Sequence, residues 1–99
     1  MQVNISGHHV ELTQALKDYT TEKLAKIDRH FQEVSRINVI LSVEKHFQKA
    51  EANLHFLGMD FSAEDLNEDL YRSVDNVVDK LDKQLNKHRE KIKKVRPVG

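Results

Sequence analysis

The sequence predicts an α+β fold of order β-α-β-β-β-α, a four-stranded mixed sheet with two helices packed on one face. Three observations carry it. A short alternating apolar segment opens the chain, three more alternating segments fill its middle, and apolar residues recur at helical spacing in one stretch before and one after those three. A chain of 99 residues has room for one hydrophobic core, since domains commonly run to about 100–150 residues.

Val3 and Ile5 alternate with polar neighbours as far as Gly7, the pattern of a strand buried on one side. Thr13 is placed to cap a helix reaching about Phe31, because a threonine hydroxyl accepts from an N–H that the first helical turn leaves unpaired. Leu16, Leu24, Ile27 and Phe31 share a face of that helix, and Leu12 is positioned as an apolar staple at its start. In Arg36 to Glu44, Ile37, Val39, Leu41 and Val43 fall on one side of a second strand, with Ile40 on the other. The helix between the two strands calls for a right-handed crossover and parallel pairing.

Ala50, Ala52, Leu54 and Phe56 alternate with Glu51, Asn53 and His55; Leu57-Gly58 marks a turn, and Met59, Phe61 and Ala63 resume the alternation as a hairpin partner. Glu64 to Asp69 reads as an acidic loop leading into the longest periodic segment. There Leu70, Val74, Val77, Val78, Leu81, Leu85, His88 and Ile92 line one helical face, with carboxylates before the helix and lysines at its end complementing its dipole. Pro97 stops the helix, so residues 1–95 are expected to form a single domain and 96–99 a short disordered tail.

Composition excludes several classes of function. With no cysteine there is no disulfide framework and no thiolate zinc site. No apolar run approaches the ~20 residues of a membrane-spanning helix, and the opening Met1 to Ser6 lacks the basic and apolar regions of a secretory signal, which points to the cytoplasm and away from membranes. The net charge is zero but unevenly spread. Residues 1–59 carry seven basic and seven acidic side chains, 60–71 none and five, and 72–99 nine and four, so attraction to a polyanion would come from one patch.

Nothing in the residue pattern supports catalysis. Ser6, Ser35, Ser42, Ser62 and Ser73 lie in no nucleophile-elbow context, and three glycines form no phosphate-cradling loop. Glu44 with Glu51, and Asp60 with Glu64, read as solvated carboxylates of the sheet. His8, His9, His30, His46, His55 and His88 show no ligand spacing, so no metal, cofactor or small-molecule substrate is expected. The aromatic residues are distributed as core residues are, with Phe47 near a hairpin turn the exception.

The clearest functional pattern is on the second helix. Lys80, Lys83, Lys87, Lys91 and Lys94 are three or four residues apart and form a stripe beside the apolar face, while Asp75, Asp79 and Asp82 fall on the opposite flank. Such a stripe is either an ordinary solvated face or a row of phosphate contacts. Lys23, Lys26 and His30 repeat the arrangement on the first helix, with Tyr19 one turn before, and the two basic flanks are expected to border a shared groove. Arg29 and Arg89 lie off both stripes.

The opening Gln2-Val3-Asn4-Ile5-Ser6-Gly7, the helix start Leu12-Thr13-Gln14-Ala15-Leu16 with Tyr19 and Lys23-Leu24, Asp69-Leu70-Tyr71 with Val74-Asp75, and Asp79-Lys80-Leu81 with Gln84-Leu85 and Lys87-His88 together resemble the short hibernation-promoting factor family of bacterial ribosome-associated proteins, within the ribosome-associated translation inhibitor superfamily. The resemblance implies a non-enzymatic protein that binds the small ribosomal subunit in the mRNA and tRNA channel near the decoding region. It implies action in stationary phase or under stress, inhibition of translation, and promotion of inactive ribosome dimers. The partners would be the small subunit, its rRNA and intact ribosomes. Lys23, Lys26, Lys80, Lys83, Lys87 and Lys91 become the foremost rRNA-contact candidates, with His30 and Lys94 completing the stripes. The short segment after the second helix fits the promoting form, whereas the inhibitor form has a longer tail and long forms add a dimerisation domain.

Two other functions fit the residues. One is a translation inhibitor that binds ribosomes without promoting dimers; the other is a protein-interaction module acting through the open sheet face. A free duplex-RNA-binding domain fits less well, because the second helix begins at Asn67-Glu68-Asp69, where such a domain presents basic residues to phosphate.

Overall fold

The structure is a computed structural model that describes residues 1–95; the expected tail 96–99 lies outside the described residues. Its elements follow the predicted order: β1 (Gln2–His8), α1 (Gln14–His30), β2 (Arg36–Glu44), β3 (Phe47–Phe56), β4 (Met59–Asn67) and α2 (Leu70–Val95). The strands form one sheet in the order β1-β2-β3-β4, with β1 parallel to β2 and the other pairs antiparallel.

Local chemistry sets the boundaries. Thr13 caps α1 by accepting from the Leu16 N–H at 3.2 Å. Asp69 does the same for α2, its carboxylate accepting from the Tyr71 N–H at 3.0 Å. The β3–β4 hairpin turns at Leu57 (φ 46°) and Gly58 (φ 82°), two consecutive left-handed residues whose backbone twist suits a two-residue hairpin. Gly7 sits where space is tight: an added Cβ would meet the Leu12 side chain and the Val10 carbonyl at 3.0 Å.

The helices bury one sheet face. Leu16, Leu24 and Ile27 of α1 and Val74, Val77, Val78, Leu81 and Leu85 of α2 meet Ile37, Val39 and Leu41 of β2 and Ala50, Ala52, Leu54 and Phe56 of β3 in one core. Phe31 and Phe56 pack edge to face at 5.4 Å in it. The small alanines of β3 leave room for α2 to approach the sheet. Two buried hydroxyls are satisfied by backbone: Thr20 donates to the Leu16 carbonyl at 2.8 Å, and Ser73 to the Gln48 carbonyl at 2.9 Å, which ties α2 to β3.

Glu64 to Asn67, the greater part of the segment expected to be an acidic loop, instead belong to β4, and only Glu68 and Asp69 connect it to α2. The strand's alternation is hidden because the helix-facing position Asp65 is polar, and it is held by polar residues of α2. Asn76 donates to one carboxylate oxygen at 2.9 Å and Lys80 to the other at 3.2 Å. β4 is an edge strand, and two of its outward carbonyls are occupied by α2: Lys80 Nζ reaches the Glu64 oxygen at 2.8 Å and Gln84 Nε2 the Ser62 oxygen at 3.2 Å.

The open sheet face is polar. A row of amides crosses three strands, from Asn4 to Asn38 at 3.1 Å and from Asn38 to Asn53 at 3.2 Å. Farther along, Lys49 lies among Glu51 (3.0 Å), Glu64 (3.3 Å) and Glu44 (3.6 Å). Bonding to Glu51 and then Glu64 holds its ammonium protonated well above the usual lysine range.

Candidate nucleic-acid interface

The eight basic candidates divide into two environments. Lys23, Lys26 and His30 lie on the flank of α1 that faces α2, and what they meet there is the acidic flank of α2. Lys23 Nζ is 3.8 Å from Asp75, Lys26 Nζ 3.6 Å from Asp79 and 4.0 Å from Asp82, and His30 Nδ1 3.2 Å from Asp82. The two basic flanks therefore do not border a shared groove, contrary to the sequence expectation. Helical periodicity gives the angle between the lysine and aspartate stripes of α2, but not which stripe turns toward α1.

Tyr19 anchors the start of this seam. Its hydroxyl donates to Asp75 at 2.7 Å, its ring meets Tyr71 edge to face at 4.8 Å, and Lys23 Nζ lies 5.4 Å from its centre. The bond to Asp75, reinforced by burial and by the negative charge around it, pushes the phenol up to about 12. At the other end, Arg89 donates to the His30 carbonyl at 2.8 Å and to Asn86 at 2.9 Å, and its guanidinium lies 4.7 Å over the Phe31 ring. Sequence spacing set Arg89 aside as off the stripes; in the structure it fastens α2 to the carbonyl end of α1.

The lysine stripe of α2 is on the opposite flank, toward β4. Lys80 is held by Asp65 and the Glu64 carbonyl. Lys83, Lys87, Lys91 and Lys94 are exposed, and among the described residues none has a carboxylate within ion-pair distance. At about 1.5 Å of rise per residue the 26 residues of α2 span about 39 Å, longer than the sheet's nine- and ten-residue strands at about 3.3 Å per residue. The stripe thus runs past the core and ends in a projecting turn of lysines.

Beside that stripe lies a groove of about 500 Å³ lined by Met59, Phe61, Gln84, Lys87, His88, Lys91 and Ile92. Alternation grouped Met59 with Phe61 and Ala63, and helical spacing put Ile92 on the apolar face of α2. Met59 and Ile92 are in fact 52% and 38% exposed, because one adjoins the hairpin turn and the other lies near the end of α2. His88 is half-buried, as its place in the periodicity implies. Its ring packs against Phe61 at 5.1 Å, and Nε2 bonds the Leu57 carbonyl at 3.2 Å.

A sheet of this order under two helices, with an uncompensated cationic row on one of them, has the build of a small α+β binding protein. Two solved structures share the fold: a ribosomal subunit interface protein from Coxiella burnetii (TM-score 0.82, 28% identity, 91% of this chain and 99% of that one) and the N-terminal domain of Thermus thermophilus Protein Y (TM-score 0.81, 30% identity, 89% and 99%). Residues 3–93 match the family described as sigma 54 modulation protein / S30EA ribosomal protein, and the chain belongs to that family. Among its relatives are the ribosome hibernation promoting factors of Pseudomonas putida, 52% identical over 92% of this chain and 89% of the relative, and of Escherichia coli K12, 40% identical over 94% and 98%. The family is one of ribosome-associated hibernation factors, binding proteins and not enzymes.

Proposed function

We propose that this chain is a cytoplasmic hibernation factor that inhibits translation by occupying the mRNA and tRNA channel of the small ribosomal subunit near the decoding region, and that it promotes inactive ribosome dimers under stress. Residues 1–95 are the binding unit, and α2 meets rRNA. The observation that carries this assignment is the row Lys83, Lys87, Lys91 and Lys94, four exposed cations without a carboxylate partner among the described residues of a chain whose formal charge is zero. Cations left uncompensated on one face are suited to a polyanion, since each phosphate they neutralise releases counterions. Lys23, Lys26, His30 and Lys80 are secondary contacts, because phosphate must compete with the aspartates already beside them.

The test is sucrose-gradient sedimentation of purified ribosomes with the protein, followed by the Lys83→Glu/Lys87→Glu double variant. The protein is expected to travel with the small subunit and with whole ribosomes and to raise a heavier dimer peak. The double variant should keep its fold, bind more weakly and show a flatter salt dependence. Co-migration without the dimer peak would favour a plain translation inhibitor. Unchanged binding of the variant across salt concentrations would remove the lysine row from the interface.

A further inference from the structure

Phosphate contact accounts for the lysines but not for the apolar groove beside them. Met59 and Ile92 are exposed apolar side chains, and they line one depression together with Phe61, His88, Lys87 and Lys91. The His88 ring is fixed on both sides, by Phe61 at 5.1 Å and by the Leu57 carbonyl at 3.2 Å, so this part of the groove is rigid before anything binds. A cationic rim repeating every four residues beside a fixed apolar surface matches the two chemical halves of a single-stranded nucleotide, an anionic backbone and a flat apolar base.

We infer that this groove takes an unpaired RNA base, held against Met59, Phe61, His88 and Ile92 while Lys87 and Lys91 hold the flanking phosphates. The inference rests on the proposed rRNA role of the lysine row and adds the kind of RNA it reads: a single strand or a splayed-out nucleotide, not a continuous duplex. A paired base has both faces covered by its neighbours in the stack and cannot enter. The groove's ~500 Å³ exceeds a nucleobase with room for its sugar, and because the polar lining side chains Gln84 and His88 are already bonded to the Ser62 and Leu57 carbonyls little preference among bases is expected. An acidic peptide with an apolar side chain is the competing occupant; the lysines would serve it equally, but nothing in the groove lining presents a backbone ladder for an extended peptide, since Ser62 and Glu64 of the adjoining edge already have their carbonyls occupied.

The experiment measures binding of a hexa-adenylate, an abasic oligomer of the same length and a short acidic peptide containing phenylalanine, by anisotropy and by methyl NMR of Met59 and Ile92. Hexa-adenylate is expected to bind about tenfold more tightly than the abasic oligomer and to shift both methyl signals upfield by ring current. Met59→Ser/Ile92→Ser should lose that tenfold while keeping the salt slope, and Lys87→Glu/Lys91→Glu should lower the slope. Equal binding of abasic and normal oligomers, or tighter binding of the peptide, would overturn the base site. If only the lysine variant weakens binding, the base site fails and the phosphate row stands; if neither variant does, the rRNA role of this face fails with it.

Discussion

At the scale of single residues, the seam between the helices depends on what each side chain is already bonded to. Tyr19 gives the sharpest test. The bond to Asp75 pushes its phenol up to about 12 from the usual 10, because the protonated form is the one that donates. Below pH 10 both states keep the proton and the stabilisation is complete. Between pH 10 and 12 the unfolded state loses the proton first, so stability falls as pH rises through that window. Urea unfolding at pH 9 and pH 11.5 is expected to show a larger loss for the native protein than for Tyr19→Phe, which lacks the group that titrates. Equal losses would mean that the hydroxyl is not held by Asp75 in solution.

At the scale of elements, charge sorts the flanks of α2. The acidic flank faces α1 and the basic flank faces outward past β4, so pairing between the helices consumes the cations of one helix and leaves those of the other. Exposed pairs of this kind contribute only about 0–1 kcal/mol each; they orient the helices more than they hold them. Arg89 is the stronger tie, since it meets a helix-end carbonyl, an amide and an aromatic face together. Arg89→Ala is expected to lower stability by about 1–2 kcal/mol in urea unfolding and to leave the salt slope of ribosome binding unchanged.

The elements also show where sequence reading stops. Alternation and helical spacing sufficed for all six, for the mixed sheet and for the helix face, because the residues that set them are apolar and their period is independent of tertiary context. The end of β4 escaped notice because Asp65 is turned inward toward Asn76 and Lys80, a polar contact between distant segments that no local period records. The candidate site was legible as two stripes. Their separation was not, because it depends on the rotation of α2 about its axis relative to α1. Nor was the apolar groove, since periodicity assigns Ile92 to the apolar face of α2 without showing that the helix has by then outrun the sheet.

For the molecule as a whole, zero net charge hides an uneven spread: the open cationic row of α2 is offset by carboxylates elsewhere, among them the five of residues 60–71. On the proposed function, attraction to an anionic surface would be directional, through one flank of α2. If Lys83, Lys87, Lys91 and Lys94 each contact one phosphate, the logarithmic salt slope is about −3 to −4, and raising salt from 50 to 200 mM should weaken ribosome binding roughly a hundredfold. A slope near −1, measured by sedimentation at several salt concentrations, would mean that most of the row stays in solvent.

The side chains that α2 lays along β4 have a further consequence for crowding. An unpaired sheet margin normally invites another chain to hydrogen-bond onto it, and repetition of that step makes fibres. Here Lys80 and Gln84 occupy two of the acceptors an incoming strand would use, and the lysines beyond them repel another molecule of the same kind. The β4 margin is thereby a poor template for the strand of a second copy.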